Sequence, residues 1–380
     1  GNPYSAYARD KIAGEEALRA GAGDLPWTIV RPSHTYGERT IPTNFHFGNP
    51  WAAWQRVLDG KPVIVHGDGE SLWTFTWNED FAVGLVGLLG NEGALGRAVH
   101  ITSDESITWN RAFRTVAGVI GAGEPDLVHV PSATLGALRE DLEAALLGDK
   151  AATIVFDNTL VKSLVPAFDA RTTWAEGVAR AWEWMQAHPD SRRPDPAYDA
   201  FCDDVIARVR AWAELAAKLG LVCESGRGPL SPVVVRGDYR GRALTLDTYY
   251  ESQGAGDDRS TQTYTRVAMP VNNPTGLRLE LSKEGVLNKV GKRLGAQDIQ
   301  IGDPELDQRL IIKGQPEEKV KHVLASAAVR QPLLSVSSLD VQLAGSEIRY
   351  KKPGVERDEE CLRNVFDLMA ALAAEVEQAA

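Results

Sequence analysis

The pattern of this chain changes character near residue 221, and that change restricts it to two differently built regions. Up to about residue 210, short β-branched runs alternate with amphipathic stretches of helical period. Strands are expected at 26–31, 63–65, 98–102 and 127–130, and helices at 4–20, 50–59, 80–89, 109–120, 132–147, 175–187 and 198–219. Alternation of this kind signals an α/β architecture, in which a helix carries the chain from one strand to a parallel neighbour. Pro189, Pro194 and Pro196 punctuate the end of this region, and Gly226, Gly228 and Pro229 mark a boundary loop. Beyond it come β-branched and aromatic runs at 233–235, 243–250 and 261–269, with a hairpin turn at 238–242 and a polar Gly/Asp-rich tip at 252–260. Leu277-Arg278-Leu279-Glu280-Leu281 alternates as a half-exposed strand does. A hairpin is expected across Ala344-Gly345-Ser346, and helices at 315–326 and 356–379. The expected fold class is thus α/β over residues 1–210, followed at 221–380 by an α+β domain with a mainly antiparallel sheet.

Composition narrows the function. A chain of 380 residues is long enough for two or three domains, and a 43% hydrophobic share fills their cores. No apolar run approaches the ~18 residues of a membrane span, so no membrane partner is expected. Cys202, Cys223 and Cys361 lie far apart without metal-ligand spacing, and no basic-then-apolar leader appears. A cytoplasmic protein with reduced thiols is the default. Residues 1–210 hold 28 acids against 19 lysines and arginines, and the whole chain carries a net charge of −11. A nucleic-acid footprint needs a basic face, so this balance argues against a nucleic-acid partner.

The chemistry-bearing pair stands at the start. Tyr7 and Lys11 are four residues apart in a helical stretch, which puts them on one face about 6 Å apart. An ammonium that close to a phenol favours the phenolate, and a tyrosine so tuned works as acid or base near neutral pH.

Tyr7-x-x-x-Lys11 is followed by the run Thr28-Ile29-Val30 and then by Arg31-Pro32-Ser33-His34-Thr35-Tyr36-Gly37. This succession resembles the extended short-chain dehydrogenase/reductases, the NAD-dependent epimerase/dehydratase family. The likeness continues through His66-Gly67-Asp68-Gly69, Trp77-Asn78-Glu79-Asp80-Phe81-Ala82, His100-Ile101-Thr102-Ser103, Phe156-Asp157-Asn158 with Lys162, and Trp174-Ala175-Glu176-Gly177. It covers roughly residues 1–210 and implies a truncated Rossmann-like region that uses NAD or NADP on a sugar-like or nucleotide-sugar hydroxyl. Tyr7 would take the hydroxyl proton, and Lys11 would lower its pKa and bind the nicotinamide ribose. Pro32, Ser33 and Thr35 would line the nicotinamide. His34 stands where many relatives place an Asn that touches substrate. Sugar-nucleotide members usually carry Arg-Asp-Phe after the Asp-Gly turn, the Arg gripping a diphosphate; here the run is Trp73-Thr74-Phe75, and Arg39 is the substitute candidate.

Family members open with a strand and a Gly-rich turn that cradles the cofactor pyrophosphate. That element is not among these residues, and the chain begins with Gly1. The expectation is a fragment, inactive by itself, that forms a homo-oligomer or is complemented by a partner supplying the first half. Gly84-x-x-Gly87-x-x-Gly90 follows a helix start rather than a strand, so it is expected to be a closely packed helix face and not the cofactor turn. Residues 221–380 resemble uncharacterised bacterial domains and show no catalytic cluster. Asp238, Asp247, Asp298, Asp303 and Asp307 are scattered, and 302–307 lacks calcium-loop spacing, so a helix cap is expected there. The alternative reading is a non-enzymatic interaction module fused to a reductase remnant.

Overall fold

A computed structural model describes residues 2–40, 42–225, 233–253, 260–283 and 299–378. The chain divides into two compact units, Gly1–Ile206 with Ser225–Ser231, and Ala207–Glu224 with Pro232–Ala380. The division falls inside the long helix Pro196–Leu219. Gly226, Gly228, Pro229, Asp298 and the loop tip 254–259 lie outside the described residues.

The first unit is α/β. Thr28–Pro32 pairs in parallel with Arg97–Ile101, His34–Tyr36 with Phe75–Trp77, and Val63–His66 with Leu127–Val130. Leu72–Trp73 runs antiparallel to Ile107–Thr108. The chain leaves one parallel pair at Pro32 and enters the next at His34, so Ser33 is a crossing point between two ladders. Gly84 and Gly87 pack as their sequence context requires. A Cβ on Gly84 would lie 2.7 Å from Ile101 Cγ2, and one on Gly87 would lie 2.3 Å from Val165 Cγ1. Ile101, Val161, Val165 and Phe168 form the buried cluster that this helix face meets.

Residues 132–147 do not form one helix. Arg139 is extended (φ −152°, ψ 127°) and splits the stretch into Ser132–Leu138 and Glu140–Ala145, after which a π-helical turn Leu146–Lys150 follows. A helical hydrophobic period does not report a single extended residue, and that is why the sequence conceals the break.

The second unit is α+β, built on one eight-stranded sheet. Its spatial order is Leu310–Gln315, Arg278–Lys283, Asp340–Ala344, Glu347–Pro353, Ser260–Pro270, Arg242–Gln253, Val233–Tyr239 and Val222–Ser225. Every pairing given residue by residue is antiparallel. Alternate residues such as Leu246, Val267, Leu281 and Val341 turn into a core shared with Phe366, Met369 and Ala373 of the helix Glu359–Gln378. The turn at 238–242 is a two-residue hairpin: Arg240 (φ 55°) and Gly241 (φ 80°) are both left-handed, and Asp238 Oδ1 accepts from Gly241 N at 2.7 Å. Asp303 caps the helix Pro304–Arg309, accepting from Glu305 N and Leu306 N. Two expectations need correction. Gln315 ends a strand, and the helix starts only at Glu317, beyond Pro316. The last helix begins at Glu359 rather than 356 because Glu356 and Asp358 accept backbone N–H groups ahead of it.

Two outcomes follow. A Cβ at Gly177 would fall 1.9 Å from the Tyr36 hydroxyl oxygen. That ring is wedged against Trp77 at 5.3 Å and Trp174 at 5.2 Å between centroids. Gly177→Ala is therefore expected to destabilise, since overpacking costs about 1–3 kcal/mol against about 1 kcal/mol gained in helix propensity; thermal melting reads the sign. Second, Trp212, Leu215 and Ala216 belong to the second unit's core, and Trp212 Nε1 donates to Glu356 O at 2.7 Å. A segment beginning at residue 207 should melt cooperatively, and one beginning at 221 should lose about 3–5 kcal/mol, the usual cost of a deleted buried tryptophan.

Candidate active site

The helix Ala6–Gly21 carries Tyr7 and Lys11 and buries none of its residues. Ser5 caps it, accepting from Ala8 N at 3.2 Å. Tyr7 is 71% exposed, and Lys11 Nζ lies 5.2 Å from the centre of its ring, over the face. The helical spacing thus brings the pair together as its sequence requires. Two polar contacts hold this helix in place. Glu15 takes Arg31 in a bidentate pair, Nε at 2.8 Å and Nη2 at 2.5 Å. Hydrogen bonding from Arg31 holds the Glu15 carboxyl below its ordinary range. At the other end, Asn2 Nδ2 donates to Gly148 O at 2.5 Å.

Ser33 and Thr35 flank the crossing point differently. The Ser33 hydroxyl lies 2.7 Å from that of Thr76, which also accepts from Ser103 N at 2.9 Å. Thr35 Oγ1 is buried with no hydrogen-bond partner among the described residues. Thr35 lines a cleft of about 350 Å³ with Gly37, Glu38, Arg39, Thr40 and Asn78. The Arg39 guanidinium sits 5.5 Å from the Trp184 ring centre. Pro32 closes its strand opposite Ile101.

His34 lines a second cavity, of about 300 Å³, with Asn44, His46, Asp141 and Lys150 among its walls. Burial, with Lys150 and His46 adding to it, pushes the His34 imidazole down to about 3. His66 nearby donates from Nε2 to Lys150 O at 3.1 Å, and burial pushes it down to about 4. Trp73, standing where the resembling family usually has a phosphate-gripping Arg, is buried, and Lys150 Nζ lies 5.8 Å from its ring centre. Sequence reasoning missed Lys150, Asn44 and His46. No motif marks them, and Lys150 sits on the π-turn that the broken helix hides.

Among the described residues no cluster of His, Cys, Asp or Glu could hold a metal ion. Likewise no helix there is long and apolar enough to cross a membrane.

The first unit is thus α/β, with an exposed Tyr–Lys helix face and two polar cavities lined from the strand His34–Tyr36. Residues 1–101 match the model described as NAD dependent epimerase/dehydratase family. Two curated relatives resemble the chain. One is 2'-dehydrokanamycin reductase of Streptomyces kanamyceticus, 28% identical over 172 residues, 44% of this chain and 48% of that protein. The other is the chloroplast stem-loop binding protein of 41 kDa b of Arabidopsis thaliana, 30% identical over 116 residues, 30% of this chain and 29% of that one. The chain therefore spans less than half the length of either relative. Among solved structures, UDP-glucuronic acid 4-epimerase from Bacillus cereus in complex with NAD is 19% identical, with TM-score 0.38 over 49% of this chain and 53% of that one.

Burial holds five histidines below their ordinary range, His34 and His66 furthest, and these two give a pH prediction. In the unfolded chain each binds a proton near pH ~6.5; folded, they do so only near 3 and 4. The unfolded state therefore binds more protons throughout that window. Stability is fully present above pH ~6.5 and falls as pH drops toward 4, by at most about 1.4 kcal/mol per unit for each histidine. Urea unfolding at pH 7.5 and 5 should show the loss, and His34→Asn should reduce it without abolishing it, because His66 still titrates. An unchanged slope in that variant would place the titration elsewhere.

Proposed function

We propose that the first unit is the acid/base and substrate side of an NAD(P)-dependent epimerase/dehydratase-like oxidoreductase acting on a sugar-like hydroxyl. The observation that carries this reading is the Tyr7–Lys11 pair, set on one helix face within the family-matched segment. The nicotinamide, when bound, supplies the hydride acceptor and donor. The phenolate of Tyr7 removes the hydroxyl proton of the substrate as the C–H bond breaks and returns it when the path runs backwards. Lys11 holds positive charge beside the phenolate, and Pro32, Ser33 and Thr35 bound the nicotinamide end. His34 and Arg39 are the substrate-side residues, one in each cavity.

The fit to the cofactor is confined to that end. Gly84 and Gly87 of the sequence's triple-glycine motif pack against Ile101, Phe168 and Val165 side chains, whereas Gly90 meets nothing within 4 Å. In this reading, the cradle comes from residues outside these 380. In this reading the cofactor, with the segment that holds it, covers Tyr7 and Ile12, which are 71% and 46% exposed. An RNA-binding reading draws only on the chloroplast relative. The acidic excess of residues 1–210 weighs against it.

Isothermal titration of this chain with NAD and with NADP is expected to show no micromolar binding. Micromolar binding by a monomer would overturn the division of labour. Where the complementary segment is present, Tyr7→Phe should lower turnover about 10²–10⁴-fold while cofactor affinity stays within a few-fold. Retention of more than about a tenth of the activity would remove Tyr7 from the chemistry.

A further inference from the structure

The cavity around His34 has a lining that is mostly satisfied from within. Asn44 Nδ2 donates to Ile64 O at 2.9 Å, and its Oδ1 accepts from Phe45 N at 3.0 Å. Thr43 Oγ1 donates to Phe45 O at 3.2 Å, and His46 Nδ1 accepts from Gly48 N at 3.0 Å. Asp141 is held bidentately by Arg139, at 2.9 Å and 2.8 Å, and so brings little net charge into the space. Two groups remain. The His34 ring makes no hydrogen bond among the described residues, and its ring contact there is with Phe75 at 5.7 Å between centroids. The Lys150 side chain is 14% exposed, and its ammonium meets Asp149 Oδ2 at 3.0 Å and Ala145 O at 3.5 Å. An ammonium has three donors, so one is left over.

We propose that this cavity takes the anionic group, carboxylate or phosphate, of a monosaccharide-sized ligand, with Lys150 as its charge partner and His34 as a second donor. The size follows from the volume: about 300 Å³ is at the small end for a ligand site and suits one ring rather than a whole nucleotide sugar. The sign follows from the cation. Lys150 is withdrawn from water, where a charge-assisted hydrogen bond is about twice as strong as a neutral one, and its competing Asp149 side chain is 48% exposed. Two different elements meet here, the π-turn Leu146–Lys150 and the strand His34–Tyr36. The neutral ring of His34 fits the role, because an imidazole kept uncharged chiefly by burial, with Lys150 adding to it, still has one N–H to donate. The inference rests on the sugar-like substrate of the proposed function, yet the binding it describes needs no nicotinamide.

The test titrates the 380-residue chain with glucose, glucuronate and glucose 6-phosphate, which share a ring and differ in charge. Binding is read by ring-proton NMR of the His34 imidazole, assigned through His34→Asn. At least one anion is expected to shift the His34 signals and to bind about tenfold or more tightly than glucose, the margin of one charge-assisted hydrogen bond. The two anions distinguish a carboxylate site from a phosphate site. Lys150→Met should erase the preference, and Lys150→Arg should keep it within a few-fold. The preference is a ratio within one protein, so a partly unfolded variant scales all three ligands alike. No shift of His34 by either anion in the millimolar range, or an undiminished preference in Lys150→Met, would overturn the assignment. Loss of Tyr7-dependent turnover with the anion preference intact supports both readings. Anion preference without any Tyr7 dependence removes only the redox reading, and the converse removes only this one.

Discussion

The helix Ala6–Gly21 contributes nothing to the hydrophobic core, so its place on the first unit depends on polar contacts at its ends. The bidentate Glu15–Arg31 pair is the stronger of these. Exposed ion pairs are worth ~0–1 kcal/mol in general. A planar fork against a carboxylate is among the better ones, because two parallel bonds fix direction as well as distance. Arg31 immediately precedes Pro32, Ser33 and His34. The same guanidinium therefore ties the Tyr7–Lys11 helix to the strand whose end opens onto both cavities. Tyr7, Lys11 and the crossing at Ser33 keep their relation only while that pair and the Asn2–Gly148 bond hold.

The crossing itself is rigid for the opposite reason. Tyr36, Phe75, Trp77, Trp109 and Trp174 are all buried and meet ring against ring, with Phe75 and Trp174 stacked at 4.4 Å. Tyr36 lies in the strand His34–Tyr36, and Phe75 sits opposite His34 in the ladder. Strand alternation then decides what each residue can do. Tyr36 packs among the aromatics, Thr35 lines one cavity, and His34 lines the other. Removing the aromatic packing would loosen both cavities at once, whereas a change on the Tyr7 helix would not reach this core.

Much of this was legible in the sequence. Tyr7-x-x-x-Lys11 announced its geometry because four residues is close to one helical turn. The β-branched run before Arg31-Pro32 announced a strand, though only Ile29 of it is buried, and Gly84 and Gly87 were readable as packing because no strand precedes them. Lys150 was not legible. Its position depends on Arg139 leaving the helical region and on a π-turn after Ala145, and hydrophobic period carries no record of either. In the second unit the strand Leu310–Gln315 and the helix Ala327–Ser335 were missed. The strand lies at the edge of the sheet, and the helix carries Pro332 within it, which contradicts the propensity rule that would have found it.

The two sides of the candidate site are built to different standards, and the difference has a physical sense. His34 and Lys150 sit in a cavity whose walls are already hydrogen-bonded, so the cost of desolvating them is met by folding. Tyr7 stands in water on a helix held by polar contacts, so its desolvation is left to whatever covers it. In the proposed reading the reaction waits for the cofactor side to close, while the substrate side stands preformed. In that reading the acid/base pair sits on the helix held by polar contacts, and the groups that recognise the ligand sit in the cavity backed by the aromatic cluster.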